Sequence, residues 1–570
     1  RKNPESYREY GAGIFTDETA KGGQDKNFIK KHQPPSTWCV GQHQPGGLVG
    51  LSGPPPPVAL PPRQGFVDVL FEKSTHDVFV LDSVLPALWK ISAKEPTSYT
   101  IPLAGVVGQL VELGPGTVGV VTAYPPGIWV HLSHTGENVR VQWDTPQRAA
   151  VYDPARDILW TAGPAEPQAR RNQGPLHQLS AAIFGWDAKS LRHGTLLLRE
   201  KLLLGPLGLA DPTSISVIQE SILVTLGANN AVMWWRPGEE PVRCSTEPYP
   251  SFSLPFSGGV LVTSRLGDAV LWFPKTNVCV HQTVVIDPHP RDGLKYWGEN
   301  LFYGLRDTVP HEDAPYTCNS CHWDTGKDHR LQPGFLEQRW EMTRSLAGIR
   351  AVLPLFTTGF GSSMADTVEG LLRGLDPRFW HTQPSHDSYW LKPAVIQTKG
   401  GLVELSAAQQ RDALVHYLMS LLPQVGPLRL ADGGFSAAAV KGATLFWDHC
   451  ASCHQPRATL REPFGNEGEK VTTVDEMLVT LRSVPLVFGA RAFAHLPEIS
   501  SFTPHGNRIA PLFELWRGGP FFSDGSASDL RTVLSRFVPG SKVGHGPDRV
   551  SGKRFNDEEK ELLWTFLMSL

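Results

Sequence analysis

Seven cysteines in a chain of 570 residues are too few to staple a fold together, so a disulfide-scaffold architecture is excluded. A dominant charge of either sign is also missing. The 53 basic residues against 56 acidic ones leave a net charge of −3, and with no basic excess to meet a phosphate backbone, nucleic acid is excluded as a partner. No run approaches 18 consecutive apolar residues, so no transmembrane segment is expected. The chain begins at Arg1 without a signal-like segment, as a mature or trimmed form would. What is abundant is turn-forming: 55 glycines and 49 prolines, in a chain too long for one core, predict several domains rich in loops.

Four of the seven cysteines are spent on one pattern used twice. "TCNSCHWDT" spans 317–325 and "HCASCHQP" spans 449–456, so that Cys318, Cys321 and His322 are matched by Cys450, Cys453 and His454. A zinc ribbon also uses two CxxC pairs, but its knuckles lie about 15–20 residues apart and need no histidine after each. A thioredoxin-like redox pair would need one copy, at the start of a helix. Two thiols three positions apart can add to the two vinyl groups of one haem, while the following histidine reaches the iron. The expected cofactors are therefore two covalently bound haem c groups. Covalent attachment of this kind takes place outside the cytoplasm in bacteria, which places the expected location in the periplasm or at the cell surface. In such an oxidising compartment Cys244 and Cys279 become candidates to bridge neighbouring repeats, which leaves Cys39 odd.

The sequence on either side of residue 293 follows different patterns. Between 65 and 292, β-rich runs such as "GFVDVLF" (65–71), "VGVVTAY" (118–124), "SILVTLG" (221–227) and "AVLWFPK" (269–275) alternate with Gly, Pro, Asn and Asp and recur in pairs about every 40 residues. This predicts a β-propeller of about seven blades, five of them clear; a β-sandwich is the competing architecture. Residues 1–64, with "PGGLVGLSGPPPPVALPP", read as an extended Pro/Gly-rich lead-in. From 293 the pattern turns helical and repeats once, over 293–425 and 426–570. "GENLFYG" (298–304) precedes the first motif as "GATLFWD" (442–448) precedes the second, and "PLFTTG" (354–359) is echoed by "PFFSDG" (520–525). Both halves close on a helix, "SAAQQRDALVHYLMSL" (406–421) and "NDEEKELLWTFLMSL" (556–570), each opened by a capping residue and a glutamine or glutamate three positions on.

The duplicated region resembles the bacterial di-haem cytochrome c peroxidases and the related MauG enzymes, and the preceding repeats resemble the YVTN-type propellers sometimes fused to them. Its most specific stretch is "APLFELWRGGPFFSDGSASDLRTVL" (510–534), similar to the family's "PLRN…TAPYFHDG…TLEEV" with Pro511 and Pro520 at matching spacing. The resemblance implies a multidomain protein, a propeller followed by two mainly α-helical cytochrome c-type domains. It further implies a first haem that meets hydrogen peroxide or oxygen at an open iron position and a second, six-coordinate haem that passes electrons. A protein redox partner or protein substrate follows from it, and a calcium ion between the haems is the one further cofactor it allows.

Departures from the family pattern direct attention to particular residues. The family's second haem takes a Met or Tyr as sixth ligand, at a position that falls here on Phe537, which cannot ligate iron. His545 in "KVGHGPD" is the candidate replacement, with Met477 a weaker one. The family's bridging tryptophan corresponds to Thr357. Its distal glutamate would fall in "LRGLDPRFWHTQPSHD", where Asp376, His381 and His386 stand instead: Asp376 as the group that moves a proton between peroxide oxygens, or a histidine that binds iron and closes the site. His329 in "TGKDHR" reads as a surface residue. Three functions remain open at this stage: a peroxidase/MauG-like enzyme, a pure electron-transfer cytochrome with both irons six-coordinate, and an oxygenase similar to the di-haem rubber oxygenases.

Overall fold

The β-rich runs at 65–71, 118–124, 221–227 and 269–275 all form strands, and each belongs to a four-stranded antiparallel meander. The computed structural model describes residues 38–40 and 48–50 and most of 66–570, apart from 167–179, 305–315, 334–339, 357–362, 375–392, 459–470, 495–506, 536–554 and a few shorter pieces. The chain divides into two compact units, Arg1–Leu60 and Pro61–Leu570. In the first, Trp38–Val40 pairs antiparallel with Leu48–Gly50.

The second unit begins with five blades, spanning 66–102, 106–142, 149–203, 212–245 and 250–285, each with its strands hydrogen-bonded in chain order. The first strands of consecutive blades pack side by side. The five blades legible in the sequence are thus present, and the described residues hold no sixth or seventh. Blade 5 shows why: Ser253 is buried against Ser214 and Ser216 of blade 4, whereas Phe252 and Leu254, which point the other way, are 53% and 49% exposed. No described blade covers that side.

Within blade 3, a short helix Ala188–Arg192 (α1) is capped by Asp187, whose carboxylate accepts from the Ser190 amide. Blades 4 and 5 are joined by the disulfide Cys244–Cys279, the bridge expected between neighbouring repeats. Blades 1 and 2 are tied by buried Glu72, which accepts from the Ser74 and Thr75 amides and hydroxyls and from the Gly116 amide. Burial alone would push its carboxyl up, but the hydrogen bonds from Thr75 and Ser74 outweigh it and bring the pKa down to about 2. We expect Glu72→Gln to cost about 1–2 kcal/mol in denaturant titrations at pH 7. A carboxylate with a depressed pKa stabilises fully above its unfolded value, so the difference between the two proteins should persist down to pH about 4.5 and vanish as pH falls through about 2.

Helices take over at Leu294. Leu294–Tyr303 (α2), Met364–Gly374 (α3) and Ala407–Met419 (α4) belong to the first helical half, and Ala437–His449 (α5), Val474–Ser483 (α6), Leu530–Ser535 (α7) and Asp557–Leu567 (α8) to the second. The two predicted capping boxes are formed, Ser406 with Gln409 and Asn556 with Glu559. α2 crosses α4, and α5 crosses α8, in the same manner. At the first crossing a Cβ on Gly298 would overlap the Ala413 carbonyl, and at the second a Cβ on Gly442 would overlap that of Leu562. Only glycine lets the backbones approach so closely, and each crossing is completed four residues on by an aromatic pair, Phe302 with Tyr417 and Phe446 with Phe566, both at 5.4 Å between ring centroids. The echo of "PLFTTG" in "PFFSDG" is also geometric: Phe356 and Phe522 share a left-handed φ, 65° and 66°. Among the described residues no helix is long and apolar enough to cross a membrane.

One face of the blade arc is occupied by this helical region. The residues that meet it come from the chain segments leading into the first strands (Arg148, Asp211, Tyr249) and from the turns between second and third strands: Val84 joins the core of the second helical half, Tyr124 donates to the Gly525 carbonyl, and Leu266 joins the core of the first half.

Candidate functional site

The first CxxCH segment opens as a single 3-10 turn, Cys318–Ser320, capped by Thr317 and Ser320, and the His322 amide closes back on the Cys318 carbonyl at 2.9 Å. The second forms at the end of α5, with the Cys453 and His454 amides returning to Cys450 O at 3.1 and 2.8 Å. In each, the histidine is fixed from behind. His322 Nδ1 lies 2.9 Å from the Arg344 carbonyl, and His454 Nδ1 lies 3.2 Å from the Ala510 carbonyl. A carbonyl only accepts, so the proton sits on Nδ1 and the lone pair on Nε2, the state in which an imidazole ligates metal. Arg344 and Ala510 each stand ten residues ahead of the prolines that begin the echoed segments, Pro354 and Pro520, so the two orienting carbonyls occupy equivalent places in the repeat. Burial lowers the pKa of His322 and keeps it neutral.

Cys321 and Cys450 are not built as reactive thiols. Burial pushes Cys321 up to about 12, with Asp328 adding to it, and burial with neighbouring Cys453 does the same to Cys450. None of the four is in a disulfide, and among the described residues no three His, Cys, Asp or Glu side chains converge as a metal cage. Each turn therefore presents two thiols and one imidazole separately, a donor set that suits thioether attachment of a planar group better than a tetrahedral ion.

Propeller residues clamp the first turn. Asn319, inside the CxxC, is fully buried; its amide donates to Asp211 Oδ2 at 2.6 Å and to the Tyr249 hydroxyl at 3.0 Å, and its Oδ1 accepts from the Asp324 amide at 2.8 Å. Arg148 reaches Asp211, the Tyr249 hydroxyl and Asp324, and Arg265 holds Asp324 from the other side at 3.0 Å. Asp324 takes a left-handed φ of 47° inside this cage. Burial raises the Asp211 carboxyl, and Arg148 offsets only part of that rise. The Tyr249 ring packs 4.6 Å from Tyr303 at the end of α2.

His329 is not a surface residue, contrary to the reading of its polar neighbours. It is half-buried, with Nδ1 at 2.9 Å from the Gly519 carbonyl of the second half, and burial followed by nearby Lys327 pulls its pKa to about 4. Met477 is fully buried in the core packed around α5 and α8, the ordinary place for a methionine. His449, adjacent to Cys450, packs edge-on against Phe555. Asp376, His381, His386 and His545, together with Thr357 and Phe537, lie outside the described residues. Nothing local in the sequence singles out Arg148, Asp211, Tyr249 or Asn319, which are drawn together across more than a hundred positions.

No family model matches the chain, and no curated protein matches it. Among solved structures it is similar to a streptogramin B lyase (14% identity, TM-score 0.35, covering 44% of this chain and 80% of that one). It is also similar to a functionally unknown protein from Desulfotomaculum acetoxidans (13%, 0.33, 44% and 79%) and to a chain of a nidogen/laminin complex (14%, 0.32, 42% and 90%). At these scores the likeness goes no further than the general propeller-like fold.

Proposed function

We propose that this chain is a c-type di-haem oxidoreductase, with one porphyrin tethered through Cys318 and Cys321 and ligated by His322, and a second tethered through Cys450 and Cys453 and ligated by His454. The observation that carries the reading is the pair of equivalent carbonyls, Arg344 and Ala510, that fix both imidazoles with Nδ1 protonated. The two glycine-mediated crossings with their aromatic pairs support two copies of one cytochrome c-type domain. When bound, haem supplies one-electron chemistry and, where an iron position is open, a place for peroxide or oxygen. The chain's own residues would then divide the work: His322 and His454 would hold the two groups, and the helical cores exclude water. The Asn319 cage fixes the first turn, and Asp376 with His381 and His386 is the group to test for proton handling in a peroxidase/MauG-type reaction.

The covered face of the propeller acts as a wall for the first site, so a protein redox partner or protein substrate would dock elsewhere on the molecule. The Cys244–Cys279 disulfide fits an oxidising compartment, periplasm or cell surface.

Intact-mass measurement of protein produced with a haem-attachment system tests this reading. Two porphyrin additions are expected on the wild type, one on Cys318→Ser/Cys321→Ser and one on Cys450→Ser/Cys453→Ser. A colourless wild type overturns it. A high-spin iron signal in the oxidised protein selects the enzyme, and two low-spin signals select the pure electron carrier.

A further inference from the structure

The seam between the two helical halves holds two cations that no carboxylate among the described residues meets. Arg508 is 7% exposed, and its two bonds, from Nε to Phe356 O at 3.1 Å and from Nη1 to Val352 O at 2.9 Å, go to neutral carbonyls. Lys327 donates from Nζ to the Gly518 carbonyl at 3.1 Å and lies 5.1 Å over the Phe521 ring. Among the described residues no carboxylate pairs with either. Glu514, which lies nearby, is already committed, accepting from Arg517 at 3.0 Å, Ser345 at 3.3 Å and the Gln424 amide at 2.8 Å. Burial and then Arg344 lower both cations, Arg508 to about 9 and Lys327 to about 8, so both keep their charge at neutral pH. A buried charge is tolerated where an anion comes to meet it.

The position narrows the anion. Arg508 stands two residues before Ala510, whose carbonyl orients His454, and it bonds the segment that follows Arg344, whose carbonyl orients His322. These cations therefore sit between the backbones of the two attachment sites, not on an outer surface. A porphyrin tethered at a CxxCH turn carries its only negative groups, two propionates, on the edge away from the thioether links. Arginine's planar fork suits a carboxylate.

We propose that Arg508 and Lys327 are carboxylate-binding cations of the seam, each met by a propionate of a tethered porphyrin. The proposal rests on the haem reading above. A cation beside a propionate favours the reduced iron, so removing it lowers that haem's midpoint potential.

The test is a redox titration, followed by absorbance, of the full chain carrying its haems, for Arg508→Gln, Lys327→Gln and Arg508→Lys, with exposed Arg243→Gln in blade 4 as control. The expected result is two porphyrin additions by mass in every variant, a downward shift of one midpoint potential in both Gln variants, partial recovery in Arg508→Lys and none in the control. If Arg508→Gln does not accumulate, Lys327→Gln and Arg508→Lys carry the same measurement. Two porphyrins with both potentials unchanged in Lys327→Gln and in the Arg508 variant overturns the carboxylate site alone. A wild type without porphyrin overturns the haem reading itself.

Discussion

Arg148→Leu is expected to destabilise the protein by about 3–5 kcal/mol at neutral pH, the usual cost of leaving one half of a buried ion pair behind. Arg148 and Asp211 are both nearly fully buried, and the arginine also reaches the Tyr249 hydroxyl and Asp324. Without it, among the described residues the Asn319 amide alone remains to the Asp211 carboxylate, whose pKa burial already raises. The carboxyl is then expected to protonate, and Asp324, held in a left-handed conformation, loses one of its two arginines. Chemical denaturation monitored by circular dichroism measures the loss. A double variant Arg148→Leu/Asp211→Asn should be less destabilised than the sum of the single variants, because the orphaned charge is gone. Intact mass should also show porphyrin lost preferentially from Cys318/Cys321, since the cage holds only the first turn. Equal loading at both turns would show that the propeller does not position that site.

The second large effect is expected at the helix crossings. Gly298→Ala and Gly442→Ala each place a methyl group on a backbone carbonyl of the partner helix, Ala413 or Leu562. Neither carbonyl can rotate away, so the helices must separate and the aromatic pairs behind them open. A cost of about 3 kcal/mol or more is expected for each, at the upper end for overpacked cores. Gly370→Ala is the internal control. Gly370 lies within α3 with open space where its Cβ would go, so alanine there should stabilise by about 0.5–1 kcal/mol through helix propensity alone. Thermal melts of the three variants separate steric overlap from the general loss of glycine.

What was legible in the sequence was local. The strands read from the sequence are chiefly continuous apolar runs, as in the second and third strands of blade 4, Ser221–Leu226 and Ala231–Trp235, but the first strand of blade 1, Phe66–Glu72, is among them and the fully buried third strand of blade 3, Ala181–Asp187, is not. Outer strands such as Leu198–Leu203 and Glu137–Gln142 escape notice because they are largely exposed and carry charged residues, and first strands such as Pro212–Ile218 and Pro250–Phe256 because prolines and serines interrupt them. His329 was misread for a related reason: Lys327, Asp328 and Arg330 make the segment look solvated, whereas Asp328 and Arg330 pair with each other and bury the turn against the second half.

The sequence by itself determined that two Cys-x-x-Cys-His turns exist, that they lie in a duplicated helical region, and that strand pairs precede them, because each of these is written within a few consecutive residues. Only the tertiary structure decided which carbonyls orient the two histidines, that Arg148, Asp211 and Tyr249 of the propeller grip Asn319, and that Arg508 and Lys327 each bond backbone carbonyls of the opposite helical half. Those arrangements depend on hydrogen bonds and charge between residues far apart in the chain, where no periodicity or spacing carries the information.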